Sequence, residues 1–329
     1  METKSLSTFS FNLFIFMATA FGAMCLLAFL TPRTAAKLIA RIPVPYLGCS
    51  GEGYSSDAYI SYCSHGPVLY GHGAAYFDTE KVQVELGNAD VVILGSSRAG
   101  FAFSNDVISS YFKSQGLKYY NLFFDSAETD SFPMEVIARS GAKPKLLIIN
   151  VDPFFTGKMS AVGQKVVTEG VRWEYYVHHI AQSFHKRICT GSPGFVKTLV
   201  CSEGYTVFRS RSTGNIAGVF NWPPDIKVEE FSFSRTPFDQ DLTVYLDRVN
   251  AIRNDIKACT MIVAIPAIRT TTPILAEKLA AALALPNFIP DGEKFETFDQ
   301  SHLTESSAKR FSRDFVKSFE SQRKLCPNL

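Results

Sequence analysis

Val91-Val92-Ile93-Leu94 runs without a polar interruption into Gly95-Ser96-Ser97-Arg98. A short aliphatic run stopped by a glycine and two small hydroxyl residues reads as a buried parallel strand ending in a tight turn. In open α/β sheets reactive groups gather at the carboxyl ends of the strands, so Ser97 is a candidate nucleophile. A strand followed by Gly-Ser-Ser is also an ordinary turn or helix cap. The feature that separates these readings lies far downstream, where Phe298-Asp299-Gln300-Ser301-His302-Leu303 sets a carboxylate three positions before a histidine, ahead of a helical pattern.

Between these points the pattern alternates. Helical periodicity covers Asn105 to Lys113, Ser131 to Ser140, Asp239 to Lys257, Pro273 to Leu285 and Thr304 to Ser321. Strand patterns cover Tyr119 to Phe124, Lys145 to Asn150 and Thr260 to Ile265, with a short extended piece at Asn287 to Pro290. Strands alternating with helices at this spacing imply a parallel sheet covered on both faces by right-handed crossovers. The rhythm breaks between about 156 and 235, which reads as an insertion that shapes a binding site. Its Trp173-Glu174-Tyr175-Tyr176 and Asn221-Trp222-Pro223-Pro224 could stack on sugar rings or form a small core of the insertion's own.

From Phe11 to Leu30 no side chain is charged, about the length that crosses a hydrocarbon core as a helix. An uncleaved signal anchor is favoured over a cleaved signal peptide, because Thr34-Ala35-Ala36 is a poor cleavage site, and over a core helix, because there is no polar face. Residues 1–33 are then the membrane anchor, 34–81 a juxtamembrane and stapled loop segment, and 82–329 the body with its insertion. Gly48 to Gly73, rich in Gly, Ser and Tyr, reads as a loop or small hairpin rather than core, and its His65 and His72 have no metal-ligand spacing.

Orientation draws opposing arguments. Arg33, Lys37 and Arg41 follow the apolar segment, which taken alone places the body in the cytoplasm. Outside that segment, however, the cysteines form an even set: Cys49 and Cys63, Cys189 and Cys201, Cys259 and Cys326. The first four are spaced for short disulfide loops, leaving the last two for each other, although other connectivities are open and reduced, buried thiols are the alternative. The even set favours an oxidising compartment. The formal charge of +2 offers no electrostatic case for nucleic acid, and neither a Walker A nor a GxGxxG pattern is present, so nucleotide-binding readings lack support. No cofactor or metal is expected.

The first-strand glycine and serine, Asn121-Leu122 at the end of the second strand, and the late Asp-x-x-His-Leu before the terminal helix resemble the SGNH (GDSL-type) hydrolase superfamily. The likeness extends to its membrane-anchored members that handle O-acyl groups on bacterial envelope polymers, and spans Val91 to Phe319 apart from the insertion. It implies a flavodoxin-like three-layer α/β/α fold with a parallel central sheet. It also implies Ser97 as nucleophile, with Asp299 and His302 completing the triad. Asn121-Leu122-Phe123-Phe124-Asp125-Ser126 lies on the block whose glycine donates to the oxyanion, so Ser126 replaces that glycine. Asn150-Val151-Asp152-Pro153 lies on the block whose asparagine donates, so Asp152 takes its place. An ionised Asp152 cannot donate, and losing one oxyanion donor costs about 2.7 to 4 kcal/mol. The backbone amides of Ser97 and Ser126 could still donate, and Asn150 or Arg98 is the substitute side chain the neighbourhood offers.

The expectation is therefore a serine esterase or O-acyltransferase, anchored in the inner membrane by one pass with its body in the periplasm. It would act on acyl, in particular acetyl, esters of an envelope or secreted polysaccharide. Its partners would be that polymer, the membrane, and a membrane-bound acyltransferase or polysaccharide synthase complex. The alternative is a non-catalytic scaffold or binding subunit of such a complex. A lipid esterase would call for a more apolar mouth than the polar and aromatic insertion suggests.

Overall fold

The computed structural model describes residues 56–63, 69–125, 128–151, 157–169, 172, 175–176, 205–220, 228–233, 241–266, 273–290, 294–327 and 329. The chain clusters into two compact units, Met1–Tyr46 and Leu47–Leu329, and every described residue belongs to the second. The expected anchor from Phe11 to Leu30, the Cys189 and Cys201 pair, His65, Ser126 and Asp152 lie outside the described residues. Among the described residues no helix is long and apolar enough to cross a membrane.

In chain order the first elements are β1 (Ala58–Cys63), α1 (Leu69–Phe77), α2 (Val82–Gly87), β2 (Val91–Ser96), α3 (Ser97–Ala102), α4 (Asn105–Ser114) and β3 (Tyr119–Phe124). Next come α5 (Ser131–Ser140), β4 (Leu146–Asn150), α6 (Ala161–Thr168), β5 (Thr206–Ser210), β6 (Ile216–Phe220) and β7 (Glu229–Phe231). The chain closes with α7 (Leu242–Ile256), β8 (Cys259–Val263), α8 (Ile274–Leu283), β9 (Asn287–Phe288), β10 (Phe295–Thr297) and α9 (Glu305–Gln322).

Strands β3, β2, β4, β8 and β9 form one sheet in that spatial order, and every pairing within it is parallel. Counted along the chain within this sheet the order is 2-1-3-4-5, so the direction of winding reverses at β2. Alternate residues face opposite layers, as the two-residue strand period requires. Val92, Leu94, Leu147 and Ile149 pack with helices α2, α5, α7 and α8, while Val91, Ile93, Leu146 and Ile148 pack with α3, α4 and α9. The arrangement is α/β with helices on both faces of a five-stranded parallel sheet, compatible with three α/β/α layers.

The last helix shows how the sequence pattern becomes packing. Thr304 caps it, its Oγ1 accepting from the Ser307 amide at 3.4 Å. Phe311, Phe315 and Phe319 recur every fourth residue and are all buried. Phe311 and Phe315 meet Phe103 edge-on, with centroids 5.6 and 5.2 Å away. Beyond α9, Cys326 is disulfide-bonded to Cys259 at the start of β8, the pairing expected for these two. Cys63 is also in a disulfide, its partner outside the described residues.

Two stretches differ from expectation. Within and just past Gly48 to Gly73, read as a loop or small hairpin rather than core, Ala58–Cys63 is a strand and Leu69–Phe77 a helix, and Tyr59, Ala74 and Ala75 belong to the main core. The stretch read as irregular from 156 to 235 contains α6, β5, β6 and β7. Strands β5 and β6 join β1 in a three-stranded antiparallel sheet, and β7 pairs with β10.

Candidate active site

β2 runs out at Ser96, and the chain turns straight into α3, placing Ser97 at the first helical position at the carboxyl end of the sheet. Ser96 is the cap, its hydroxyl accepting from the Arg98 amide at 3.4 Å. Gly95 makes this turn possible: a Cβ there would stand 2.6 Å from that of Ala99 and 3.0 Å from that of Asn150. Only a residue without a side chain lets strand and helix approach this closely.

The loop carrying Asp299 and His302 is clamped at both ends. Thr297 and Leu303 form a β-bridge, and the Phe298 amide donates to the His302 carbonyl at 3.1 Å. Within the loop Asp299 Oδ1 accepts from the amides of Ser301 and His302 at 3.0 and 2.8 Å. Gln300 takes the left-handed φ of 64° that closes so short a turn.

The three residues expected to act together meet. His302 Nε2 lies 2.8 Å from Ser97 Oγ, and His302 Nδ1 lies 2.6 Å from Asp299 Oδ2. Burial alone would raise the Asp299 carboxyl, but the hydrogen bond and charge of His302 and two backbone amides outweigh it and hold it below the usual carboxylate value. Asp299 is therefore an anion that only accepts, so Nδ1 carries a hydrogen toward it, and in the neutral ring the Nε2 lone pair faces the serine hydroxyl. Phe298 stacks on the imidazole at 5.6 Å and 21°, and Phe101 packs against it at 4.5 Å. These two rings limit the tilt of His302. Their place beside the histidine was not visible in the sequence, since an aromatic next to a functional loop looks the same as a core aromatic.

Ser97 and His302 open into a cavity of about 230 Å³. Its walls are largely aromatic, including Tyr62, Phe101, Phe123 and Tyr205, with Val207 beside them. The antiparallel sheet thus supplies part of the wall, through Tyr62 from β1 and Val207 from β5, next to the parallel strand ends. The Tyr205 hydroxyl is pushed up chiefly by burial, then by Tyr62 and the nearby Asp299, and so stays neutral. A wider recess of about 690 Å³ is also lined by Phe101 and extends between β6 and the start of α9.

Asn150 and Arg98, the substitute side-chain donors, are hydrogen-bonded to other groups. Asn150 Nδ2 donates to the Val263 carbonyl at 3.3 Å, beneath Gly95, and Arg98 Nε reaches Ser301 Oγ at 3.5 Å. The described lining includes neither residue. Asn121 is also occupied elsewhere: its Nδ2 donates to Ala99 O and Asn215 Oδ1 at 3.3 and 2.7 Å, deep beside the edge strand. Among the described residues the Ser97 amide is one candidate donor, in the first turn of α3 where helix amides have no intrahelical acceptor. Among the described residues no group of three or more His, Cys, Asp or Glu could hold a metal ion.

Neither a protein-family model, nor a curated protein, nor a solved structure matches this chain.

Proposed function

We propose that the protein is a serine esterase or O-acyltransferase of carboxylic esters, with Ser97 as nucleophile, His302 as base and Asp299 as the group that orients it. The observation that carries this reading is the continuous relay from Asp299 Oδ2 through the His302 ring to Ser97 Oγ, with contacts of 2.6 and 2.8 Å. A serine hydroxyl is a poor nucleophile until a neutral imidazole accepts its proton and a carboxylate fixes the imidazole's tautomer. In acylation Ser97 Oγ attacks the ester carbonyl, its proton passes to His302 Nε2, and the same proton leaves with the departing alcohol. Water or an acceptor hydroxyl then reverses these steps, releasing acid or a new ester and restoring Ser97. The Ser97 amide is one donor to the oxyanion.

The substrate is an acyl ester, in particular an acetyl ester, on an envelope or secreted polysaccharide. This part rests on the resemblance to SGNH hydrolases of flavodoxin-like topology, to which the 2-1-3-4-5 strand order lends support. The recess beside Phe101 leaves room for the rest of a polymer. The Cys259–Cys326 disulfide favours an exported body in an oxidising compartment, tethered by the apolar segment from Phe11 to Leu30. In that setting a membrane-bound acyltransferase or polysaccharide synthase complex is the natural partner.

The test is covalent labelling of the full chain with a fluorophosphonate, alongside hydrolysis of 4-nitrophenyl acetate. Stoichiometric modification at Ser97 is expected, with none in Ser97→Ala. Asp299→Asn should cost on the order of 10⁴-fold in turnover through the wrong imidazole tautomer. Absence of labelling and hydrolysis in wild type, with Ser97→Ala still supporting the polymer phenotype of the intact gene, would transfer the assignment to a scaffold subunit of the same complex.

A further inference from the structure

One histidine in the wall of the cavity in front of Ser97 belongs to a second histidine–carboxylate pair that the relay does not use. His72, on α1, points Nε2 at Glu128 Oε2 across 2.9 Å, and both residues are 2% exposed. Glu128 is held from several directions. Its Oε1 accepts from the amides of Thr129 and Ser160, each at 3.0 Å, and its Oε2 accepts from Ser160 Oγ at 2.5 Å. Burial would raise this carboxyl, but the bonds from His72 and Ser160 prevail and hold it below the ordinary carboxylate value. It is an anion, an acceptor only, so His72 Nε2 carries a hydrogen and donates it. The imidazole is wedged between Phe124 and Phe132, with centroids 4.9 and 4.8 Å away. Its remaining polar atom is Nδ1, which has no hydrogen-bond partner among the described residues, and the side chain lines the cavity together with Ser97 and His302.

A buried carboxylate and its histidine are a costly way to fill a wall, since packed apolar residues of similar volume are generally as stable or more so. The pair's one uncommitted atom belongs to a residue on the surface where substrate would sit. We propose that His72 is a specificity residue of the Ser97 site, hydrogen-bonding through Nδ1 to a hydroxyl on the alcohol part of the ester, so that the substrates are carbohydrate-like esters. The proposal rests on the serine-ester reading given above. Nδ1 accepts a hydrogen bond when the ring is neutral and donates one when it is protonated. A hydroxyl can answer in both states, whereas a carbonyl only accepts and an ammonium only donates. Tyr62 and Tyr205 in the same wall offer apolar faces with polar tips, suited to a ring that carries hydroxyls. Glu128 is the positioning residue, since it fixes both the ring's orientation and its tautomer.

The experiment compares a mono-acetylated methyl glycoside with a panel of its deoxy analogues, using full-length wild type, His72→Phe and His72→Gln, with Ser97 labelling followed in each. Wild type should prefer the hydroxylated ester over one of the deoxy analogues by about 10- to 100-fold in kcat/KM, the scale of one hydrogen bond to a buried polar group. Both variants should lose that preference while Ser97 remains reactive. Equal rates for hydroxylated and deoxy esters in wild type, or a preference retained in the variants, would overturn the assignment of His72. If a variant fails to label at Ser97, the wild-type comparison decides alone. Failure of wild type itself to label would overturn the serine-ester reading instead.

Discussion

Arg209 donates from Nη2 to the main-chain oxygen of Asn121 at 2.7 Å, joining the antiparallel sheet to the open edge of the parallel one. Its Nη1 reaches the Phe123 carbonyl at 2.9 Å and its Nε the Gly214 carbonyl at 2.8 Å, while the guanidinium lies 4.1 Å over the Phe123 ring. From the same hairpin the Thr213 carbonyl accepts from the Asn121 amide at 2.8 Å. β3 is the last strand of its sheet, and these contacts satisfy an edge that would otherwise leave backbone groups without partners. Gly214, at φ +69°, passes so close that a Cβ would fall 2.4 Å from the Asn121 carbonyl oxygen.

Replacing Arg209 with Met should therefore cost more than an ordinary surface charge. The side chain is 2% exposed, and its loss strands carbonyls on both β3 and the β5–β6 hairpin. Each buried polar group left unpaired costs about 1 to 3 kcal/mol, so a loss of at least about 3 kcal/mol is expected in denaturant unfolding. Because Phe123 lines the cavity, reactivity of Ser97 should fall as well. A variant as stable as wild type would show that the hairpin does not hold this edge.

The Cys259–Cys326 bridge closes a loop of 67 residues that contains α8, β9, the Asp299–His302 loop and α9. Loop-closure entropy assigns such a cross-link about 4 kcal/mol through the unfolded chain. Cys326→Ser should lower stability by an amount of that order, with folded-state labelling of Ser97 little changed at low temperature. An unchanged unfolding midpoint would mean that α9 is held by its buried phenylalanines alone.

The elements of this architecture were not equally legible in the sequence. β2, β3 and β4 stand out because both faces are buried, which makes largely aliphatic or aromatic runs despite Asn121 within β3, and α9 stands out because Phe311, Phe315 and Phe319 repeat at helical spacing. The Ser97, Asp299 and His302 triple was readable because its chemistry is confined to a few residue types at strand and helix boundaries. α1 was hidden because Leu69-Tyr70-Gly71-His72-Gly73-Ala74-Ala75 lacks a polar face. Its glycines serve close packing instead: a Cβ on Gly73 would lie 2.2 Å from the Tyr175 ring. β5 was hidden because Arg209 reads as a surface residue. His72 and Glu128 lie 56 positions apart with no spacing that joins them, so only the fold brings them together.

The buried Glu128 carboxyl gives the protein a pH signature. Its folded value is depressed, so near and below the ordinary 4.5 the unfolded chain binds the proton more readily, and stability rises with pH in that window. The contribution is complete above the ordinary value and fades as pH falls through the lowered one. Glu128→Gln should cost about 1 to 3 kcal/mol near neutrality, since a carboxamide cannot accept all the bonds the carboxylate receives. The variant should also show a shallower loss of stability on acidification. Unfolding free energies measured from pH 7 down to 3 for both proteins provide the test, and parallel curves would contradict the ionised, paired state of Glu128.

The tight turn under Ser97 can be tested by adding and then removing one methyl group. In Gly95→Ala the new Cβ meets that of Ala99 at 2.6 Å and that of Asn150 at 3.0 Å, and neither backbone can move without shifting β2, β4 or α3. Overpacking of this kind costs about 1 to 3 kcal/mol. The greater effect should fall on the reactivity of Ser97, because displacing α3 by a fraction of an ångström lengthens the 2.8 Å contact between Ser97 Oγ and His302 Nε2. Fluorophosphonate labelling should slow by at least about tenfold. Ala99→Gly removes the nearer obstacle, so the double variant should recover much of the rate even though glycine weakens the helix by about 1 kcal/mol. That recovery would be a coupling between two residues that are adjacent in space, read as the departure of the double variant from the sum of the singles. Strict additivity would show that the turn accommodates the methyl group elsewhere, and that Gly95 is not what sets the position of Ser97.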